Sequence, residues 1–175
     1  RRHRAFILAS KSKLLKQGYF NTAFENHYTQ ERSVGWACDD LLNLQSLSKM
    51  DVPSKLKGVS KERVDWLFDN DAYDLPDCYR PSCHRYKDHT YQSVYGRLYW
   101  DRPAWTITTG CLVMGQGRFL HPLQRRVITP HEAARIQFFP DYFKFGNQKR
   151  GDYAKMIGNA VPPKIASIIA LELLK

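Results

Sequence analysis

The clearest apolar pattern lies at the carboxyl end of the chain. From Lys164 to Leu174 no helix breaker occurs and almost every residue is apolar, which predicts a helix buried on nearly all sides. Pro162 and Pro163 precede it, and a proline at the first helical position forfeits no hydrogen bond. Gly158 and Asn159 read as a turn, because both tolerate positive φ. A second helix start is written at Thr129-Pro130-His131-Glu132. Thr129 reads as the N-cap, Pro130 as the first helical residue and Glu132 as the side chain that completes a capping box. Ala133 to Gln137 suit a short helix, and Pro140 bars its continuation. Near the amino end, the apolar run before Ser10 reads as a buried strand. Asp39 and Asp40 followed by Leu41, Leu42, Leu44 and Leu47 suggest a helix. Ser60 to Phe68 predicts a better one, with Ser60 as cap and Val64, Leu67 and Phe68 on one face. Asp69-Asn70-Asp71 should end it. The β-branched alternation from Thr106 to Thr109 predicts a strand closed by Gly110, and Gly115-Gln116-Gly117 a flexible loop.

Length and composition narrow the class. The 175 residues allow one or two small domains. An apolar fraction of 43% separates the chain from disordered sequences. Lys and Arg outnumber Asp and Glu by 27 to 17, a formal charge of +10 with a pI near 9.5. That surplus favours a polyanionic partner, with a merely solubilising basic surface as the alternative. Cys38, Cys78, Cys83 and Cys111 are too sparse for a disulfide framework, which suggests a reducing compartment. Neither an uninterrupted apolar run of membrane-spanning length nor a signal peptide is evident, so no membrane partner is expected. The first residue is Arg1 rather than Met, which reads as a piece of something longer.

Three stretches carry candidate chemistry. Arg2 and Arg4 sit in a basic cluster before the first apolar run, suited to phosphates or a carboxylate, or to a solvated terminus. Arg80, Arg85, Lys87, Tyr95 and Arg97 interleave cations with aromatics. That mixture suits phosphates and base edges, and equally suits a solvated face. Cys78, Cys83, His84 and His89 cluster, but their spacing fits a zinc site poorly, so no metal is expected.

Together and in this order, the motifs resemble the cytosine-5 DNA methyltransferases. The run from Thr129 to Asp141 resembles that family's ninth conserved motif, and Gly158-Asn159-Ala160-Val161-Pro162-Pro163 its tenth. Arg2 and Arg4 match the two arginines of its eighth, Gln-x-Arg-x-Arg. The segment from Arg102 to Thr108 resembles the end of its target recognition domain, where a Thr and an aliphatic residue, here Thr106 and Ile107, sit near the extruded base. The middle of the chain matches by position only.

The resemblance implies an α/β fragment. A small mixed α+β target recognition domain, residues 11–148 with a ninth-motif helix near 129–139, would be flanked by residues 1–10 and 149–175. The flanks would be a strand and a C-terminal helix of a Rossmann-like methyltransferase sheet. It further implies S-adenosylmethionine as cofactor, double-stranded DNA as partner, and a bacterial or phage-encoded cytoplasmic enzyme of restriction-modification. Arg2 and Arg4 would meet the target base and its phosphate. Gly158, Asn159, Ala160 and Val161 would close the cofactor pocket. Arg80, Arg85, Lys87, Tyr95, Arg97, Thr106 and Ile107 would meet DNA, while Thr129, Glu132 and Arg135 would scaffold. The family adds a cysteine thiolate, from a Pro-Cys loop, to C6 of cytosine. This chain has no Pro-Cys pair, no Glu-Asn-Val segment and no Phe-x-Gly-x-Gly run. It is therefore expected to be inactive alone and to need a catalytic half, as part of the same polypeptide or as a separate subunit. A stand-alone DNA-binding module is the alternative.

Overall fold

The computed structural model describes residues 24–46, 48–85 and 93–173. The expected strand at residues 1–10, with Arg2 and Arg4, lies outside them, as do Leu47, Lys87 and His89. Helix α1 (Val34–Cys38) starts with three donors satisfied. Ser33 Oγ accepts from Trp36 N, while Val34 N and Gly35 N donate to the carbonyls of Arg102 and Trp100. A 3-10 turn at Asp39–Leu41 follows, so the leucines after Asp40 form less helix than their spacing predicts. Helix α2 (Val59–Asp69) buries Val64 and Leu67. Its N-cap is Gly58 at φ 49°, with no capping side chain, so Ser60 sits inside the helix instead of capping it. Asn70 ends α2 and Asp71 takes a left-handed φ of 44°.

A 3-10 turn at Asp77–Tyr79 leads to the one-turn helix α3 (Ser82–Arg85). Helix α4 (Pro130–Ile136) packs on α1, and α5 (Arg150–Asn159) packs on α4. Their buried faces share one core: Val34, Ala37 and Cys38 from α1, Ala133 and Ala134 from α4, Tyr153, Ala154 and Ile157 from α5. Loop residues Leu98, Ile107, Phe119, Leu120 and Ile128 complete it. Burying a side chain the size of Ile157 contributes about 1.5–3 kcal/mol, and several such residues come from loops.

The α/β expectation is corrected by this structure. Among the described residues no strand forms, and a Rossmann-like sheet is not seen. Sheet-like pairing shrinks to two isolated bridges, Arg97 with Leu120 and Leu120 with Val127. The Thr106–Thr109 segment, expected as a strand, finds no partner strand among these residues. Thr108 instead begins a turn, with Cys111 N donating to Thr108 O at 3.1 Å.

The break after α5 falls at Ala160, whose ψ of 146° leaves the helical region. Helix α6 (Pro163–Leu173) then starts at its proline. The stretch Arg150–Leu173 has the length and apolar composition to cross a membrane, against the sequence expectation. It is nevertheless two helices with a break between them, the first seated in the core. Helix α6 does not meet the expectation of all-round burial. Leu171 and Leu173 are about half exposed, and the residue it buries is Glu172, whose Oε1 lies 3.1 Å from His27 Nε2.

Candidate functional site

The run from Thr129 to Asp141 makes a dense polar staple. Thr129 caps α4 by accepting from Glu132 N at 3.1 Å, and Glu132 returns the bond by accepting from Thr129 N at 2.8 Å. Glu132 is 1% exposed and does more than cap. Arg126 holds both its oxygens, Nη1 at 2.8 Å and Nη2 at 2.6 Å. Burial pushes the Glu132 carboxyl up, but the Arg126 hydrogen bonds outweigh it and hold it below the ordinary glutamate value. His121 is fully buried beside them. Its Nδ1 accepts from Leu123 N and Gln124 N at 3.1 and 3.0 Å. That fixes the proton on Nε2, which points toward Glu132 Oε1 at 3.6 Å without a hydrogen bond. Burial pushes the His121 pKa down to about 4.

At the far end of α4, Arg135 grips Asp141 with two donors, Nε at 2.9 Å and Nη2 at 2.6 Å, and also pairs with Asp40. His131 bridges Asp51 at 2.6 Å and Asp141 at 3.1 Å. The Arg135 fork, aided by His131, brings Asp141 down to about 2. Every charged side chain of this run is therefore tied into the fold. The Arg126–Glu132–His121 cluster left no local sequence signal, because its partners come together through loops.

The run's end is unusual. Phe138 sits at the position after the helix cap with φ 63°, where glycine is favoured. Phe138 N donates to Arg135 O and Phe139 N to Ala134 O, closing the helix end. The Phe138 ring lies 5.8 Å from the exposed ring of Trp36. Both line a cleft of about 1200 Å³ whose other walls include Thr106, Ile107, Arg135 and, from α6, Ile165 and Ile168. The aromatic repeat Phe138-Phe139 was the signal available in the sequence.

Thr106 is half-buried at this cleft and Ile107 is buried. Behind them stands Gly158. It is part of α5 and not a positive-φ turn, which replaces the turn reading. A Cβ built there would stand 2.3 Å from Thr108 C, 2.4 Å from Thr108 O and 2.4 Å from Thr109 N. Only a glycine lets α5 touch that backbone. Gln137 ties the same helix end from the other side, its buried Nε2 donating to Ile157 O at 3.0 Å. Asn159 and Val161 are exposed and Ala160 half-buried, so the Asn159 amide and the Val161 side chain are presented outward beside this junction.

The cation-rich stretch divides. Arg80 is half-buried and donates to Leu75 O at 2.9 Å; Arg85 is exposed and donates to Cys78 O at 2.7 Å and Arg80 O at 3.0 Å. Tyr95 is half-buried at φ 66°, between the Arg63 guanidinium at 5.2 Å and the His84 ring at 6.0 Å. Arg97 turns inward. It is 5% exposed, and its fork donates to the carbonyls of Leu67, Ala72 and Pro122 and to Asp71. Its cation also covers the rings of Phe68 and Tyr73 at 4.1 and 4.7 Å. Arg118, equally buried, holds Tyr73 O, Arg97 O and Asp74. The structure thus brings Thr106 and Ile107 together with the Gly158 junction, keeps Arg80 and Arg85 together elsewhere, and spends Arg97 on the fold.

Among the described cysteines, burial pushes Cys38 and Cys111 up to about 12. Both stay protonated at neutral pH and neither can act as a thiolate nucleophile.

Three kinds of relative bear on this geometry. Residues 1–175 match the family described as "C-5 cytosine-specific DNA methylase". The chain is 48% identical over 174 residues to a Type II methyltransferase, M1.BsuMI, of Bacillus subtilis (strain 168), covering 99% of this chain and 40% of that protein. It is 38% identical over 126 residues to the Type II methylase M.HgiDII of Herpetosiphon aurantiacus, covering 69% of this chain and 36% of that one. It is 49% identical over 82 residues, 46% of this chain, to 5% of the DNA (cytosine-5)-methyltransferase 1 of Mus musculus. The chain spans about two fifths of the length of the bacterial relatives it matches.

Proposed function

This chain belongs to the C-5 cytosine-specific DNA methylase family, and from that premise we propose that it supplies the DNA-reading and cofactor-pocket-closing part of an enzyme that methylates cytosine at C5 in a specific sequence of double-stranded DNA. The observation that supports this reading is the seat of Gly158 on the Thr108 backbone. With Gly158 seated there, the end of α5 and the residues after it lie beside the segment that holds Thr106 and Ile107, the pair that the resemblance assigns to the extruded base. Base extrusion is required because C5 and C6 are stacked within a duplex.

In this reading Asn159 meets the polar ribose or carboxylate of S-adenosylmethionine, and Val161 packs on its apolar part. An exposed amide next to an exposed aliphatic side chain fits such a ligand. The bound cofactor supplies the methyl group. Arg2 and Arg4 hold the target base and its phosphate; Arg80, Arg85 and Lys87 meet the DNA backbone and base edges. Tyr95 and Arg97, engaged within the fold, shape that surface from behind. The thiolate that activates cytosine comes from a catalytic half outside these residues, since no Pro-Cys pair occurs here.

The test is methyl transfer from tritiated S-adenosylmethionine to duplex DNA. The chain alone should leave the DNA unlabelled, and the chain together with its Pro-Cys half, fused or mixed, should label cytosine at C5. Labelling by the chain alone, or an assembled enzyme that modifies another atom, refutes the proposal.

A further inference from the structure

Three sequence signatures far apart in the chain meet at one point. Thr108 lies two residues after Thr106, Gln137 ends the ninth-motif helix, and Gly158 opens the tenth motif. Gln137 Nε2 holds Ile157 O at 3.0 Å within the core. The absent Cβ of Gly158 leaves α5 in direct backbone contact with Thr108 and Thr109, too close for any other residue. The atoms that an alanine would meet are backbone carbon, oxygen and nitrogen, which no rotamer change can move aside. The peptide that follows, Asn159 to Val161, is the one assigned to the cofactor.

We infer that Gly158 is a positioning residue: by zero-gap contact with Thr108 it fixes the distance between the target-base segment Thr106–Ile107 and the cofactor-side segment Asn159–Val161. The inference rests on the functional reading above and adds a role to it. Gly158 does not serve as a ligand for the cofactor; it sets the separation across which the methyl group must travel. Reactions of this kind are steep in geometry, because misplacing reacting groups by about 1 Å can slow them about 100-fold. Both ligands can still bind when their two sites are displaced relative to each other.

The experiment uses the full enzyme carrying Gly158→Ala. S-adenosylmethionine binding is read by calorimetry, the KM for duplex DNA and kcat by methyl transfer, and folding by circular dichroism. The expected result is a kcat lowered about 100-fold, with the cofactor Kd and DNA KM both within about threefold of the parent. A folded variant with unchanged kcat overturns the inference, because a purely structural glycine would lower the melting temperature alone. A loss confined to cofactor Kd also overturns it, since Gly158 would then be an ordinary cofactor contact. Should Gly158→Ala fail to fold, Gln137→Ala carries the test. It removes the second tie on α5 and should lower kcat in the same direction by about tenfold, with binding unchanged; normal kcat there overturns the inference. A parent enzyme without methyl transfer to cytosine would sink the functional reading itself, which is a separate outcome.

Discussion

Replacing Glu132 with alanine should be the most damaging single change in α4. The wild-type carboxylate is 1% exposed and accepts three hydrogen bonds from two partners. Thr129 N donates to it at 2.8 Å, and the Arg126 fork at 2.8 and 2.6 Å. Glu132→Ala strands the Arg126 guanidinium, whose side chain is only 16% exposed, and leaves Thr129 N without its acceptor. Breaking a buried ion pair from one side costs about 3–5 kcal/mol. A chain of this size loses roughly 2–4 °C of melting temperature per kcal/mol. The expected drop is therefore on the order of 10 °C, read by thermal unfolding of the chain or of the enzyme that contains it. The double variant Arg126→Met with Glu132→Ala should recover part of that loss, because no unpaired cation remains. A Glu132→Ala protein melting within about 3 °C of the parent would refute the reasoning, and so would a double variant less stable than the single one.

Acid should act through His121. Its folded pKa, about 4, lies below the ordinary 6.5. The neutral ring is favoured by the fold, so stability is full above pH 6.5 and falls as pH drops toward 4. His121→Asn keeps an acceptor for Leu123 N and Gln124 N and should flatten that fall by about one proton in urea titrations at pH 4 to 6.5; an unchanged slope would count against it. Arg97→Lys should destabilise by about 2–3 kcal/mol, because an ammonium cannot replace a fork that serves several carbonyls. Removing the charge altogether, in Arg97→Gln, should leave the salt dependence of DNA binding untouched. A slope reduced by about one unit would mean that Arg97 contacts phosphate after all.

What was legible in the sequence was what is decided locally. Thr129-Pro130 and Pro162-Pro163 announce helix starts because caps and proline act within one turn, and α4 and α6 begin there. Ser60 looked like a cap and is not, since Gly58 turns the chain two residues earlier at φ 49°. Thr106 to Thr109 has strand-like side chains, but among the described residues no strand forms there, and the Thr108–Thr109 peptide lies against Gly158. Gly158 itself shows the limit most plainly. A glycine needed for turning and a glycine needed for contact are the same letter, and only the position of Thr108 separates them. Arg97 is ambiguous for a related reason: a cation among aromatics describes a DNA-facing surface and a buried carbonyl clamp equally well, and here the side chain is buried on carbonyls.

The clamps made by Arg97 and Arg118 also have a consequence for redesign. Arg97 N bonds Tyr73 O at 2.9 Å, and Arg118 joins Tyr73 O to Arg97 O, so the two ends of the segment between them are pinned side by side. A segment whose ends already meet behaves as a cassette. Its interior can be exchanged or lengthened with little thermodynamic penalty, about 0.6 kcal/mol for each doubling of length. New sequence can then be installed between Pro76 and Arg85 while the clamp keeps the rest of the molecule in register.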